Sequence, residues 1–329
     1  MKAIVFEAQH SSLIQDVEKP TLKSGEALIR TAACGLCHTD VEILKGNYGE
    51  DSYPVIPGHE YSGIVESVLD PKSKVQAGDK VVIDPNISCG KCRSCKKGLT
   101  NLCEKLEAYG VTRNGGFGEF SVVSTENLHP AGDLDLKVAA LAEPMACVLN
   151  ALGVSDLENK TDAIIFGAGP MGLLLGIALH AHGIEDVTIV DIEDEKVAGA
   201  ESLGFKAINS SKVDTSKALG SYDLSIDATG IPAVAESLIP LTNSGGTVLF
   251  YGVCPQSAEI KISPFEVFRR QLKIVGSHSL NKNIPESIAV LKKEEKRLKQ
   301  LISIENSLEN VNKAINGESR RNMKLQIVF

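Results

Sequence analysis

Four cysteines crowd one short stretch, Cys89, Cys92, Cys95 and Cys103, with two, two and seven residues between successive members. Thiolates this close in sequence can close a tetrahedral shell around one ion, the chemistry of a structural zinc with no position left for substrate. Disulfides and a four-cysteine iron–sulfur cluster are the competing readings of the same spacing. A second set of ligand-type residues is scattered: Cys37 beside His38 and Thr39, then His59 and Glu60 after Gly58, then Glu143 before Pro144. Spacing alone does not choose among them. A thiolate, an imidazole and one or two carboxylates suit a zinc that keeps one position open to water or substrate and acts as a Lewis acid.

A third constellation is built for phosphate. Gly167, Gly169 and Gly172, with Pro170 and Met171 between them, fit G-x-G-x-x-G after a strand-like run at 162–166 and before a helix-like run. In that context the glycines allow a tight turn and close approach of a pyrophosphate, and the helix N-terminus offers unpaired N–H groups to the anion. Asp191 ends the next strand-like run, where its carboxylate would accept hydrogen bonds from the adenosine ribose and repel a 2′-phosphate. Residues 192–195 contain no arginine, so NAD is expected rather than NADP.

The elements that must position these groups follow from periodicity. Short β-like runs at 27–30, 63–68 and 80–83, separated by Gly, Pro and Asp turns, predict a mostly β domain with metal-bearing loops. From residue 138 an Ala- and Leu-rich pattern predicts a helix through 152. Strands at 162–166, 187–190, 207–208, 224–227, 247–251 and 272–275 then alternate with helices at 171–182, 193–203 and 234–239, which implies a parallel sheet with right-handed crossovers. A helix at 284–298 and a closing strand at 324–329 leave that rhythm. The lysines at 292–299 are interleaved with Glu294 and Glu295 and read as a solvated face.

A chain of 329 residues exceeds what one core supports, so two domains are expected. A net charge of −8 argues against a nucleic-acid partner, which needs clustered Lys and Arg. Residues 1–6 read as a strand rather than a leader, and no apolar run approaches the roughly 20 residues of a membrane span. A cytoplasmic protein without a membrane partner is expected, its cysteines thiols or metal ligands.

With these residues in order, the chain resembles the zinc-containing medium-chain dehydrogenase family, and more closely its polyol branch. The resemblance rests on the Cys37 segment, Gly58-His59-Glu60, the four-cysteine loop, the run from Gly115 to Phe120, Glu143-Pro144, the glycine turn with Asp191, and Asp227-Ala228-Thr229-Gly230. It implies a GroES-like catalytic domain from residues 1–148 and 279–329, with a Rossmann domain of residues 149–278 inserted. It implies a catalytic zinc on Cys37, His59, Glu60 and Glu143, a structural zinc on the four cysteines, and Thr39 and Glu60 as catalytic groups, Thr39 relaying the substrate proton. Cofactor contacts extend by the same resemblance to His38, Lys196, Thr229, Gly252 and Val253.

The implied reaction passes a hydride from a secondary alcohol, a polyol or sugar alcohol, to NAD, leaving a ketone. L-Threonine or a primary alcohol is the alternative substrate, and a zinc- and nucleotide-binding protein without catalysis is the alternative of another class. The resemblance also implies a homo-oligomer, a dimer or tetramer, with residues 247–251 near the interface. Two positions depart from the family pattern. Glu42 stands where relatives often carry a relay histidine, and Gly276 to Leu280, including His278, replaces an Arg-Tyr pair of sorbitol dehydrogenases.

Overall fold

The structure is a computed structural model that describes residues 1–48, 52–213, 219–318 and 323–329. It forms two compact units, Met1–Ala146 with Leu280–Phe329, and Cys147–Ser279.

The first unit is mostly antiparallel β. Its main sheet runs Ile302–Glu305, Lys324–Val328, Glu26–Gly35, Glu60–Val68, Lys80–Ile83, Leu128–Pro130, with Phe120–Ser124 also paired to Glu26–Gly35. Glu26–Gly35 is the hub, contacting three other strands, and its Ala27, Leu28 and Ile29 are buried as a mid-sheet strand requires. Register on this hub places Gly35 opposite Glu60 on one side and opposite Gln326 on the other. Ile4, Phe6, Ile29, Val81 and Phe117 fill the core with Tyr61, whose hydroxyl meets Ser121 Oγ at 3.0 Å and so leaves no orphaned polar tip.

The second unit is a six-stranded parallel sheet. Its order is Lys206–Asn209, Asp186–Asp191, Asp162–Phe166, Tyr222–Asp227, Thr242–Phe250, Lys273–Gly276. Counted along the chain this is 3-2-1-4-5-6, the Rossmann winding, in which ligands bind at the carboxyl ends of strands 1 and 4 where the winding reverses. Ile164, Val190, Leu238 and Val248 lie in its core.

The expected helix at 138–152 is two helices, Leu136–Ala139 and Ala142–Ser155. Pro144 has no N–H to give Ala140, and its ring crowds the same carbonyl, so the helix restarts. Among the short elements absent from the sequence reading are helices His38–Leu44 and Pro264–Arg270, strand Ile302–Glu305 and helix Leu308–Ile315. In the last, Leu308, Val311, Ala314 and Ile315 form one buried face and Ser307 caps the N-terminus by accepting from Asn310 N. No helix among the described residues is long and apolar enough to cross a membrane.

Asp84, just beyond strand Lys80–Ile83, is 6% exposed and accepts a hydrogen bond from Asn86 N at 3.0 Å. Burial pushes its carboxyl up to about 6, partly offset by the Asn86 bond and by Lys282. A carboxyl whose pKa is raised on folding binds more protons folded than unfolded, so its ionisation costs stability as pH rises from the unfolded value toward about 6. Asp84→Asn is therefore expected to raise thermal stability at pH 8 by on the order of 2 kcal/mol, with the gain vanishing near pH 4. Thermal melts of both proteins across that range check this, and a gain that persists unchanged at pH 4 would contradict it.

Candidate active site

Strand Glu26–Gly35 ends just before Cys37, which starts helix His38–Leu44, and His59 immediately precedes strand Glu60–Val68 on the neighbouring ladder. Donor atoms of Cys37, His59 and Glu60 consequently lie within 4.8 Å of one another. His59 and Glu60 are buried while Cys37 is half-buried, so the group has one side open. Gly58 makes the bend into His59 with φ of +92°, and a side chain there would strike Phe117 and Cys34. The glycines of the run from Gly115 brace it: Gly115 N donates to the Ile56 carbonyl and Gly116 N to the Gly58 carbonyl.

The surrounding charges are mainly negative. Asp40 is fully buried and accepts from Cys37 N at 2.9 Å and Gly58 N at 3.2 Å, with its Oδ1 3.5 Å from His59 Nδ1. Burial disfavours the His59 imidazolium, but Asp40 and Cys37 outweigh it and move the group well above its ordinary range. Glu60 Oε1 pairs with Lys324 Nζ at 2.5 Å, whereas its Oε2 is buried without a hydrogen-bond partner among the described residues. A carboxylate with one orphaned oxygen, grouped with a cysteine sulfur and an imidazole and close to the buried Asp40, fits a divalent cation.

The other predicted residues fall at different distances from this group. Thr39 Oγ1 is 3.6 Å from Cys37 Sγ. Glu143, in the first turn of Ala142–Ser155, lies outside the three-donor group, although it is 7% exposed and near enough to Lys324 to favour its charge. It arrives from a helix that restarts at Ala142 rather than from the sheet. His38 is exposed, with Nε2 3.4 Å from Glu42 Oε1. Glu42 also accepts from Asn47 and Lys45, and these bonds hold its carboxyl below the usual range.

Cys89, Cys92, Cys95 and Cys103 converge as the spacing predicts, their sulfurs within 4.8 Å of one another. Backbone N–H groups already point at the sulfurs: Cys92 N at Cys89, Cys95 N at Cys92, and both Cys89 N and Lys105 N at Cys103, at 3.3 to 3.5 Å. Bonds from Lys91 and Cys92 lower the Cys89 thiol to about 6, and Cys92 is lowered as well. Cys95 is pushed up to about 11 by burial and by the neighbouring sulfurs, as expected where four thiols share a site built for an ion.

In the second unit the glycine turn follows strand Asp162–Phe166 and opens helix Pro170–Ala181, with Pro170 in its first turn. Gly167 has φ of +106°, and a side chain on Gly172 would overlap the Gly167 carbonyl oxygen. Gly169 faces open space, the room a pyrophosphate requires. Asp191 accepts from Ala168 N at 2.8 Å and from Ile192 N and Glu193 N, so the turn itself aims this carboxylate. Buried Asp227 accepts from Thr229 N, Thr229 Oγ1 and Gly230 N, while its carbonyl accepts from Gly252 N. Gly252 packs against Thr229 and Gly230, and Val253, beside Gly230, is 93% exposed. Thr229 also flanks Gly167, which brings these residues to the carboxyl ends of adjacent strands. Met171 follows Pro170 in the helix, and Lys196 Nζ pairs with Glu193 at 2.7 Å. His278 is exposed, and its carbonyl accepts from Asn150.

A cation-ready cluster in a GroES-like unit and a phosphate turn in a Rossmann unit define a metal-dependent dinucleotide oxidoreductase. Comparison with known proteins agrees. Residues 23–133 match the alcohol dehydrogenase GroES-like domain and residues 170–293 match the zinc-binding dehydrogenase family. The chain is 48% identical to D-altritol 5-dehydrogenase of Agrobacterium fabrum, over 92% of this chain and 91% of that protein. Its fold is similar to a zinc-binding dehydrogenase of Sinorhizobium meliloti 1021 bound to NADP, with a TM-score of 0.95, 28% identity, and 100% and 99% of the two chains covered. A short chain alcohol dehydrogenase of Escherichia coli CFT073 complexed with NADH gives a TM-score of 0.91 at 26% identity, covering 100% and 99%. The chain belongs to the zinc-binding alcohol dehydrogenase family.

Two residues at the site escaped the sequence reading as functional groups. Asp40 stands in the Cys37 segment of the sequence without an assigned role, and Lys324 reads as the first residue of a closing strand. Lys324 shares the strand KLQIV with a second polar residue, Gln326, so its residue type alone does not single it out. For the four-cysteine loop, Cys95→Ser is expected to reduce metal content by one ion per chain and to lower the melting temperature, because opening the shell removes binding energy coupled to folding. Elemental analysis with a thermal melt checks this, and unchanged metal content would exclude a metal on these four thiolates.

Proposed function

We propose that this chain is a zinc- and NAD-dependent polyol dehydrogenase that oxidises a secondary hydroxyl of a sugar alcohol to a ketone. The observation that carries the reading is the convergence of Cys37, His59 and Glu60 with one open side. Cys37, His59 and Glu60 are the donors to a catalytic zinc, Glu143 supplies a further carboxylate to the same pocket, and the four-cysteine loop holds a structural zinc. When bound, the catalytic zinc acidifies a substrate hydroxyl and the dinucleotide accepts the hydride.

The remaining work belongs to the chain. Asp40 holds the backbone at Cys37 and at Gly58, next to His59, through the bonds described above, and its charge faces the His59 ring, so the donors are held before substrate arrives. Thr39, beside Cys37, takes the hydroxyl proton and passes it outward, toward the exposed His38 and Glu42. Gly167, Gly169 and Gly172 cradle the pyrophosphate at the start of the helix, while Asp191 binds the ribose hydroxyls. Lys196, Thr229, Gly252 and Val253 line the remainder of the cofactor. The likeness to an altritol dehydrogenase supports a polyol over L-threonine or a simple primary alcohol. An assembly of two or four identical chains belongs to the same reading, supported by Phe265 and Phe268, which are 63% and 82% exposed.

The test is NADH formation across hexitols, pentitols, short diols, L-threonine and primary alcohols, with a chelated control. Chelator-sensitive oxidation of hexitols or pentitols at rates above the other classes is expected, and turnover confined to L-threonine or primary alcohols would overturn the polyol reading. Asp191→Arg is expected to shift the NAD to NADP ratio of kcat/KM by at least about tenfold toward NADP, about 1.4 kcal/mol. An unaltered ratio would remove Asp191 from the ribose contact.

A further inference from the structure

Lys324 is a buried cation at a site the mechanism above does not use. It is 5% exposed, 264 residues from Glu60 in sequence, and donates to Glu60 Oε1 at 2.5 Å. Its strand pairs with Glu26–Gly35, and the bond from Leu36 N to the Leu325 carbonyl carries that pairing toward Cys37. The ammonium and the Glu60 carboxylate form an ion pair in which both side chains are almost wholly buried.

The division of labour on Glu60 is unequal. One carboxylate oxygen is engaged by the lysine, while the other is buried without a hydrogen-bond partner among the described residues. Gly35 lies against that second oxygen across the ladder and leaves no side chain to contact it. A carboxylate free at both oxygens can chelate a cation through both, and one held by an ammonium offers a single donor.

We infer that Lys324 is a positioning residue that restricts Glu60 to one oxygen toward the metal and offsets one negative charge of the donor pocket, keeping a coordination position open for the alcohol. This rests on the assignment of Cys37, His59 and Glu60 as metal donors. Lysine removal leaves the pocket one unit more negative and Glu60 free to use both oxygens. The ion then binds more tightly and in a more crowded shell, at the expense of the open position.

The experiment uses the full-length protein and follows the metal ion whose binding is lost in Cys37→Ser. Zinc affinity is read by chelator competition, and coordination number by the visible bands of cobalt exchanged into that site. Lys324→Met is expected to bind zinc about tenfold or more tightly than the parent, with weaker cobalt bands as the coordination number rises, while kcat falls more than KM changes. Lys324→Arg, which keeps the charge and the pairing, is expected to restore the parent affinity and spectrum. If Lys324 is only a packing and charge-balancing residue, Lys324→Met lowers the melting temperature with and without metal but leaves affinity and spectrum at parent values, and the inference falls. If Cys37→Ser holds as many metal ions as the parent, the donor assignment itself fails, a result distinguishable from the first.

Discussion

Gly35 faces Glu60 across one ladder and Gln326 across the other, and this double pairing is the constraint on which the site depends. A slip of one residue in either ladder would turn Glu60 or Lys324 to the opposite face of the sheet, since side chains alternate with period two. Cys37 is held just past the end of the hub strand, and His59 just before its neighbour. The donor group is therefore a product of strand register, and the buried core under the hub, with Ile29, Tyr61 and Phe117, is what makes slippage expensive.

Charge explains why such a register is stable only with specific partners. Bringing Asp40, Glu60, Glu143 and a thiol together in a buried pocket is unfavourable unless each acidic group has a donor or a cation. Asp40 has the backbone N–H groups of Cys37 and Gly58, and one oxygen of Glu60 has Lys324. The second Glu60 oxygen is left without a partner among the described residues, and Glu60 is one of the three donor side chains grouped with Cys37 and His59. The four-cysteine loop meets a similar need differently, with backbone N–H groups aimed at its sulfurs.

Legibility in the sequence tracked the separation of the interacting residues. The glycine turn and the cysteine loop were readable because their partners lie within a few residues, and Asp191 because a single strand fixes its distance from the turn. The parallel sheet and its winding followed from alternation of strand and helix patterns. The break between Ala139 and Ala142 was signalled by Pro144 and overridden by a continuous apolar pattern. Helix Leu308–Ile315 had both a serine cap and a helical apolar face, yet its eight residues were short enough to pass as loop. Lys324 had no local signal of its role, because its partner is 264 residues away and only the closing of the sheet brings them together. The grouping of Cys37 with His59 and Glu60 was likewise beyond spacing, and rested on family resemblance until the ladders supplied a physical cause.

The central claim is that the chain holds two chemically different metal shells, one of four thiolates and one of a single thiolate with an imidazole and a carboxylate. X-ray absorption at the zinc edge of the two-zinc protein measures this directly. Five sulfurs shared between two ions predict an average of about 2.5 sulfur neighbours per zinc, with nitrogen and oxygen completing the shells. An all-sulfur shell at one zinc per chain would contradict the account, because it would leave Cys37, His59 and Glu60 without an ion.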